Sequence, residues 1–586
     1  MKKKVVWMVV SCLMALSLLM ASCAPAAVEE EEVVAPLPKV EKEVVTEEEV
    51  APSPEGPIYG GVLRQMRPRD LEGFDSGYAP FPHAVFFTNE ELLTGDWSKG
   101  PAGTGEISWQ TGLFVMECET GCLAESWEMP DEETIVYHIR KGVHFHDKPP
   151  TNGREMNAED VAFSINRLLD MPRSFIRDHH KREDIRSVEA TDKWTVVVKC
   201  IPEEMPSLFI DISDSMHIVP PEVVEQYGDM RKWEVSCGTG PFMIVDYVPG
   251  SFATFVRNPN YWRKDPVHPE NTLPYLDGID VLVLPDRSTR LAALRTGKID
   301  MHERLSWEDQ EILLRTSPEL LWIEQTAGMP PLVAMRSDTP PFDDIRVRRA
   351  LALAIDNQAI KDELYGGSAK IFTWPIVDSE DFRDMYTPLD EFPESIRELY
   401  EYHPDKARQL LTEAGYPHGF KTSILCTAGS TDMLSVLKNY WADIGVDVEL
   451  DVKEGGTLRS IMKDKKHKAM SYGNTPAIAP HRFADTRTMN IKNDSVVSDP
   501  YIDELYYRVA EKVLEPEHRR ILKEEYVPYV LEHWWYIPIP APNAFTFWQP
   551  WLKGYHGEHS VGNVNQNNWP IYVWLDLELR KEMTGR

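Results

Sequence analysis

The amino-acid sequence predicts an α/β protein with more than one domain, and three observations lead to this fold class. A chain of 586 residues is too long for a single hydrophobic core. Its composition, 42% hydrophobic and 10% aromatic, can fill several cores. Stretches with strand-like alternation and stretches with helical periodicity follow one another through short connections, which is typical of α/β sheets.

The segment 133–170 predicts a strand followed by a helix. Three apolar residues alternate along its first part, as in a strand with one buried face: Ile135, Tyr137 and Ile139. Asn157 can cap a helix whose first turn carries Glu159 and Asp160. This helix is amphipathic, because four apolar residues fall on one side: Val161, Ile165, Leu168 and Leu169.

The later part of the chain also alternates between helix and strand. A long helix is predicted from Asp344 to the Gly366-Gly367 pair, a second helix begins at Pro404, and a third begins at Asp432. The third helix leads into Val446–Val452, which alternates like a strand.

The segment CGTGPF at Cys237–Phe242 predicts a turn that enters a strand. Its glycines allow a close approach of neighbouring backbone that other residues forbid.

Residues 1–23 are typical of an export signal. Three lysines precede an apolar run from Val5 to Met20, and small residues lead to Cys23. The segment Leu19–Cys23 resembles a bacterial lipobox, in which the cysteine carries a lipid and becomes the new N-terminus. The alternative is ordinary signal cleavage nearby.

Residues 24–57 predict a disordered acidic tether. They contain ten glutamates, two lysines and no aromatic residue, so they cannot bury enough apolar surface to fold. The whole chain has a formal net charge of −32, which disfavours nucleic acid and anionic lipid as partners.

Cysteine is scarce in the remaining chain. Five cysteines follow the signal segment: Cys118, Cys122, Cys200, Cys237 and Cys426. Cys118 and Cys122 could close a small disulfide loop or stay free, and the odd number leaves at least one thiol unpaired. No spacing typical of a zinc site is visible, so neither a metal nor a cofactor is expected.

Two histidine pairs occur in the chain, and the first has the types of side chain that can ligate a metal. His144 and His146 would point to the same face of a strand, but without a third ligand a structural role is the stronger interpretation. His179 and His180 lie among charged residues and are interpreted as part of a solvated helix or loop.

The sequence contains no P-loop, zinc-protease motif or nucleophile elbow. A hydrolase with two remote carboxylates stays open, because acid and base can come from distant segments. The expectation is a protein that is not an enzyme.

A series of motifs follows in a fixed order: RKGVHFHD at 140–147, NAEDVAFSINRLL at 157–169, CGTGPF at 237–242, RNPNYW at 257–262, LAALRTGKIDM at 291–301, DDIRVRRALALAID at 343–356 and HPDKARQLLTEAGYPHGF at 403–420. Their wording and order resemble the solute-binding proteins of family five, the oligopeptide-, dipeptide- and nickel-type receptors of ABC importers. The resemblance implies a two-lobed periplasmic-binding-protein fold with mixed sheets and an extra subdomain in the first lobe.

The resemblance also implies how the chain divides. The expected parts are the lipoprotein signal 1–23, the tether 24–57, the first lobe 58–97 with its subdomain 98–234 and second part 235–325, the second lobe 326–545, and a segment 546–586 that closes the first lobe. A hinge is expected at the two crossings between lobes, Gln325–Arg336 and Pro538–Trp548.

The segment Ser471–Thr488 is predicted to contact the ligand. In dipeptide-type members the resembling stretch carries an aspartate cluster that pairs with the ligand's amino terminus, whereas Ala479-Pro480-His481-Arg482 stands there in this chain. A carboxylate or a hydroxyl-rich group is therefore favoured over a lone ammonium. The candidate ligand-binding residues are Trp97, Tyr472, Asn474, His481, Arg482, Asp485 and Trp535. The tryptophans among them can stack on a ligand or simply fill a core.

The resemblance implies a monomeric, membrane-anchored lipoprotein outside the cytoplasm, in the periplasm or at the outer face of the cell membrane. It would capture a peptide-like or oligosaccharide solute and deliver it to an ABC permease and ATPase; a metal chelate stays open as ligand. The alternatives are a sensory receptor of the same fold and, in another class, a secreted hydrolase.

Overall fold

The computed structural model describes residues 56–585 apart from 72, 79–82, 113, 173, 327–329, 475–485, 489, 491, 513–514 and 564–567. The predicted signal, Cys23 and all but the end of the predicted tether lie outside the described residues.

The first lobe is built on a four-stranded mixed sheet. Its strands follow the order Val62–Arg67, Gly278–Val283, Phe252–Arg257 and Phe242–Val248. Val62–Arg67 pairs in parallel with Gly278–Val283, and the other two pairings are antiparallel. Alternate residues of these strands are buried in the largest core: Leu63, Phe242, Ala253, Phe255, Ile279 and Val281.

A second sheet of the first lobe, here called the bridging sheet, has the strand order Met301–Leu305, Ala544–Trp548, Leu321–Gln325. Asp300, just before its first strand, is fully buried. The Asp300 carboxylate accepts hydrogen bonds from the Arg64 backbone N–H at 2.7 Å and from Trp551 Nε1 at 2.9 Å, and Arg580 lies 3.5 Å away. One side chain thus ties together segments that are far apart in the sequence.

The subdomain contains an antiparallel sheet in the order Ala124–Asp131, Thr134–Ile139, Thr195–Cys200, Ile185–Asp192. The predicted strand is confirmed, with Ile135, Tyr137 and Ile139 buried. The predicted helix spans Ala158–Asp170, and the Asn157 side chain accepts from the Glu159 N–H while Asp160 accepts from the Asn157 N–H. Its four predicted apolar residues are all buried.

The second lobe is built on a five-stranded sheet in the order Val446–Val452, Phe420–Cys426, Met470–Asn474, Pro331–Met335, Tyr536–Pro538. Two of its predicted helices are confirmed, at Pro404–Glu413 and Thr431–Asp443, and the second leads into the predicted strand Val446–Val452.

The long helix predicted from Asp344 to Gly366 is wrong. The structure has a helix Ile345–Leu353, a break, and then a short helix Asn357–Ala359 that continues as a π-helical turn, Ile360–Leu364. Asp356 explains the break, because its side chain accepts a hydrogen bond from the Ala359 N–H and starts a new helix.

The remaining elements connect and cover these sheets. The other α-helices are Val85–Thr88, Phe175–His179, Met205–Ser213, Pro221–Tyr227, Arg287–Arg295, Trp307–Thr316, Glu394–Arg397, Gly455–Lys463, Pro500–Glu511, Glu517–Ile521, Val527–His533 and Leu577–Thr584, with a π-helical turn at Leu522–Tyr526. Short two-stranded ladders pair Leu93–Gly95 with Glu119–Gly121, Ala369–Lys370 with Ala541–Pro542, and Leu552–Lys553 with Trp574–Leu575. No helix of the described residues is long and apolar enough to cross a membrane.

The chain crosses between the bridging sheet and the second-lobe sheet twice, at residues 326–330 and 539–543. The second crossing, 539–543, is tied to the second lobe by backbone hydrogen bonds from the Ile539 N–H to the Pro331 carbonyl and from the Asn543 N–H to the Ser368 carbonyl, each 3.0 Å long.

Candidate functional site

The second-lobe sheet carries three of the predicted ligand-binding residues. Tyr472 lies opposite Val333 on Met470–Asn474, a strand that ends at the predicted residue Asn474. Burial raises the pKa of the Tyr472 hydroxyl. Trp535 directly precedes Tyr536–Pro538 and is buried. Both strands flank Pro331–Met335. Tyr472 pairs with the middle of that strand, whereas Asn474 pairs with Pro331 at one end and Trp535 lies toward the other end, next to the pair Tyr536 and Ala334.

His481, Arg482 and Asp485 lie outside the described residues. Their contact with a ligand stays a prediction.

Trp97 lies in the first lobe, immediately after the strand Leu93–Gly95 and its connecting Asp96. Only 2% of its surface is exposed, and its ring stacks on Tyr572 with a centroid distance of 4.5 Å and an angle of 3°. Core packing is therefore one role of Trp97, and ligand contact stays a prediction.

A pair of buried carboxyls near Trp97 is a feature that the sequence reasoning missed. The carboxyl groups of Glu119 and Asp214 interact with each other, and burial followed by the charge of Glu119 raises the pKa of Asp214. Burial also raises the pKa of Glu119, to about 8, so the ionised form of each carboxyl is disfavoured. The Asn563 N–H donates to Asp214, so the pair is anchored to the segment that follows the second lobe. No pattern in the sequence indicates that residues 119 and 214 lie close together in the fold.

Two sets of polar contacts join the lobes directly. Asp381 of the second lobe accepts hydrogen bonds from the Ser108 backbone N–H at 2.7 Å and from the Thr111 hydroxyl at 2.6 Å. Arg519 of the second lobe contacts both Asp384 and the first-lobe residue Glu117, each at 2.8 Å. The structure thus has the lobes in contact beside the predicted cleft.

The histidines of VHFHD do not share a face, so that part of the prediction is wrong. His144 is exposed and pairs with the Gly153 carbonyl at 2.7 Å, whereas only 1% of His146 is exposed. The chain leaves the strand pattern here because the His146 N–H donates to the Gly238 carbonyl. Burial lowers the pKa of His146 to about 4, and its Nε2 contacts the Gly240 carbonyl, so its predicted structural role is confirmed.

The interpretation of the two neighbouring histidines as solvated is confirmed for His179, which is exposed at the end of the helix Phe175–His179, and is wrong for His180. His180 is 2% exposed and lies between Glu204, at 2.8 Å, and Asp211, at 3.0 Å. Burial alone would lower the pKa of His180, but the hydrogen bonds with Asp211 and Glu204 outweigh it and raise the pKa to about 9. The sequence conceals this cluster because its acids come from a helix more than twenty residues later.

The five cysteines of the folded part are all free and buried, including Cys118 and Cys122. Among the described residues, no group of three or more His, Cys, Asp or Glu side chains is placed to hold a metal ion.

Comparison with known proteins gives a consistent assignment. The family model for bacterial extracellular solute-binding proteins, family 5 middle, matches residues 120–490, more than half of the chain. The heme-binding protein A of Haemophilus influenzae is 28% identical over 462 residues, which cover 74% of this chain and 81% of that protein. The di/tripeptide-binding protein 1 of Pseudomonas aeruginosa is 28% identical over 379 residues, covering 60% of this chain and 66% of that protein.

A solved structure gives the same fold. The ABC transporter-associated periplasmic binding protein DppA from Helicobacter pylori, in complex with the peptide STSA, superposes with a TM-score of 0.68 at 22% identity and covers 89% of this chain and 99% of that one. The predicted two-lobed α/β fold is therefore confirmed. The chain belongs to the bacterial extracellular solute-binding proteins of family 5.

Proposed function

We propose that the protein captures a peptide-like or oligosaccharide solute between its two lobes and delivers it to the permease and ATPase of an ABC importer. The observation that carries this proposal is the family match over residues 120–490, joined to a fold in which two lobes are connected by two short crossings. Relatives named for heme and for di- and tripeptides, and a similar structure with a bound peptide, are consistent with a cleft that takes an extended solute. Binding and delivery need no catalytic group.

Closure of the cleft is proposed to be a rotation about the crossings at 326–330 and 539–543. The hydrogen bonds of Asp381 with Ser108 and Thr111, and the contacts of Arg519 with Glu117, would form only when the lobes meet. They therefore favour the closed form.

The ligand chemistry is proposed from the segment Ser471–Thr488. Arg482 and His481 stand where dipeptide-type members carry acidic residues, so a carboxylate or hydroxyl-rich group would find donors there. Tyr472 and Trp535 would contribute apolar faces from the adjoining sheet.

A thermal-unfolding screen over peptides, oligosaccharides, nickel chelates and heme tests this function, because a ligand that binds only the folded state must raise its stability. We expect at least one class to raise the melting temperature with saturating dependence on concentration. Arg482→Ala should weaken the dissociation constant of that ligand, whereas Arg295→Ala, which removes an exposed arginine elsewhere, should not. Equal affinity of the Arg482→Ala variant would refute the placement of the site.

We further propose that Cys23 carries a lipid and that residues 24–57 hold the monomeric folded part away from the membrane, outside the cytoplasm. The support is the apolar run before small residues at Leu19–Cys23 and the acidic composition that follows. Mass spectrometry of protein from membranes should detect a modified N-terminal Cys23. A Cys23→Ala protein retained in the membrane fraction as fully as the parent would contradict this.

A further inference from the structure

The first lobe contains a cavity apart from the residues predicted to bind the solute. It is a small cavity of about 40 Å³ that opens to solvent. Its polar lining includes Asn89, Glu90, Glu91, His217, Arg263 and Asn568. The lining joins the segment before Trp97, the loop after Arg257–Trp262 and the segment after the second lobe.

The acidic side chains of this lining already have partners. Glu90 accepts hydrogen bonds from the Tyr261 hydroxyl at 2.7 Å and from Trp262 Nε1 at 3.1 Å. Glu91 lies 3.7 Å from Nε2 of His217.

Arg263 is different. Within the part of the chain that the structure describes, its guanidinium has neither a hydrogen-bond acceptor nor a carboxylate within ion-pair distance. The charge of Glu90, in the same lining, attracts the guanidinium without a hydrogen bond between them, and the ring centroids of Trp262 and Tyr572 lie 5.9 and 5.8 Å away. A second polar atom of the lining, Nδ1 of the buried His217, also has no partner among the described residues. A partly buried guanidinium without an acceptor favours the binding of an anion, because pairing compensates the loss of solvation.

We propose that this cavity binds a carboxylate group, with Arg263 as its charge partner. The planar guanidinium offers two parallel N–H donors that match the two oxygens of a carboxylate. The carboxylate can belong to a free small acid or to the solute captured between the lobes; the second source rests on the proposed function.

The test compares acetate with acetamide, a neutral molecule of nearly the same shape, by calorimetric titration of the full-chain protein at constant ionic strength. We expect acetate to bind and acetamide not to bind. Arg263→Gln should weaken acetate binding by roughly tenfold or more, because it removes one partner of the charge pair. Arg263→Lys keeps the positive charge but loses the two parallel N–H donors. Its affinity for acetate should lie between that of the parent protein and that of Arg263→Gln.

Arg295→Gln is the matched control, since it removes the same charge from an exposed position of the first lobe. It should leave acetate binding unchanged. Without acetate, Arg263→Gln loses the attraction to Glu90 and the ring contacts with Trp262 and Tyr572, so its own melting temperature does not report on binding. The binding role is judged from the rise in melting temperature caused by acetate, which the parent protein and Arg295→Gln should show and Arg263→Gln should not. Equal binding of acetate by the parent and Arg263→Gln, or equal binding of acetate and acetamide, would overturn the proposal.

The second arm uses a peptide found by the solute screen, in its free-acid and C-terminal amide forms. If acetate does not bind but the acid form does, and this preference disappears in Arg263→Gln, the carboxylate belongs to the captured solute. If acetate binds but no solute in the screen binds, the cavity proposal stands and only the proposed solute function is refuted. If acetate does not bind and the acid and amide forms bind equally, the cavity proposal is wrong and the solute function stands.

Discussion

The Asp381 carboxylate of the second lobe accepts a hydrogen bond from the backbone N–H of Ser108 in the first lobe, at 2.7 Å. The same carboxylate accepts a hydrogen bond from the Thr111 hydroxyl. Because the acceptor is charged, both hydrogen bonds are stronger than bonds between neutral groups. We predict that Asp381→Asn shifts the equilibrium toward the open form by about 1–2 kcal/mol. Small-angle X-ray scattering of the ligand-free protein should detect a larger radius of gyration.

Asp390→Asn is the control for this shift, because Asp390 is exposed on a nearby segment of the second lobe. It removes the same charge and should leave the radius of gyration unchanged. Identical scattering of the parent and both variants would mean that the contact does not hold the lobes together.

The ion-pair cluster of His180 predicts a pH dependence of folding. The folded-state pKa of about 9 lies above the ordinary value of 6.5, so the protonated form stabilises the fold. This contribution, roughly 3 kcal/mol, is complete below pH 6.5 and is lost as the pH rises from about 6.5 through 9. Urea unfolding of His180→Gln at a series of pH values should give a lower free energy of unfolding near pH 6 and a difference from the parent that shrinks toward pH 9.5. A difference that stays constant over this range would show that the charge of His180 does not contribute.

The close packing of the CGTGPF turn predicts that alanine at Gly238 lowers the free energy of unfolding far more than alanine at Gly429, a glycine of the second lobe. A Cβ added to Gly238 would lie 2.2 Å from the Thr88 carbonyl oxygen, so Gly238→Ala forces the backbone apart. We expect a loss of about 2–3 kcal/mol in the free energy of unfolding. Gly429→Ala, where an added Cβ meets no atom within 4 Å, should change it by less than ~0.5 kcal/mol. Chemical denaturation of the two variants measures both.

The free cysteines predict that reducing agents leave stability unchanged. A Cys118–Cys122 disulfide would add to stability in non-reducing buffer, but both thiols are buried and unlinked. Burial raises the pKa of Cys118 to about 11, which keeps this thiol protonated and slow to react. Thermal unfolding with and without dithiothreitol should give the same melting temperature. A lower melting temperature in reductant would indicate a disulfide.

Local patterns in the sequence predicted elements whose stabilising contacts are themselves local. The helix Ala158–Asp170 was predicted because Asn157, its acidic first turn and its apolar stripe lie within one segment. The long helix from Asp344 failed for a local reason too, since Asp356 offers a second cap within an otherwise helical pattern.

The contacts of the candidate site could not be predicted in the same way because they join distant segments. His180 meets Glu204 and Asp211, and Glu119 meets Asp214, only after the subdomain has folded. In the sequence, nothing distinguishes Arg263 from other charged residues that follow a motif such as RNPNYW. Only the three-dimensional structure shows that its guanidinium has no hydrogen-bond acceptor among the described residues.

The contacts of Asp300 have a consequence for the order in which the protein matures. They require Arg64 together with Trp551 and Arg580, residues that are made before and after the entire second lobe. A ribosome releases the strands of the second lobe, which end at Pro538, before it releases those later residues. The second lobe can therefore complete its sheet first, whereas the first lobe keeps apolar strands uncovered until nearly the whole chain has been synthesised. Chaperones and proteases would meet the nascent protein chiefly through its first lobe.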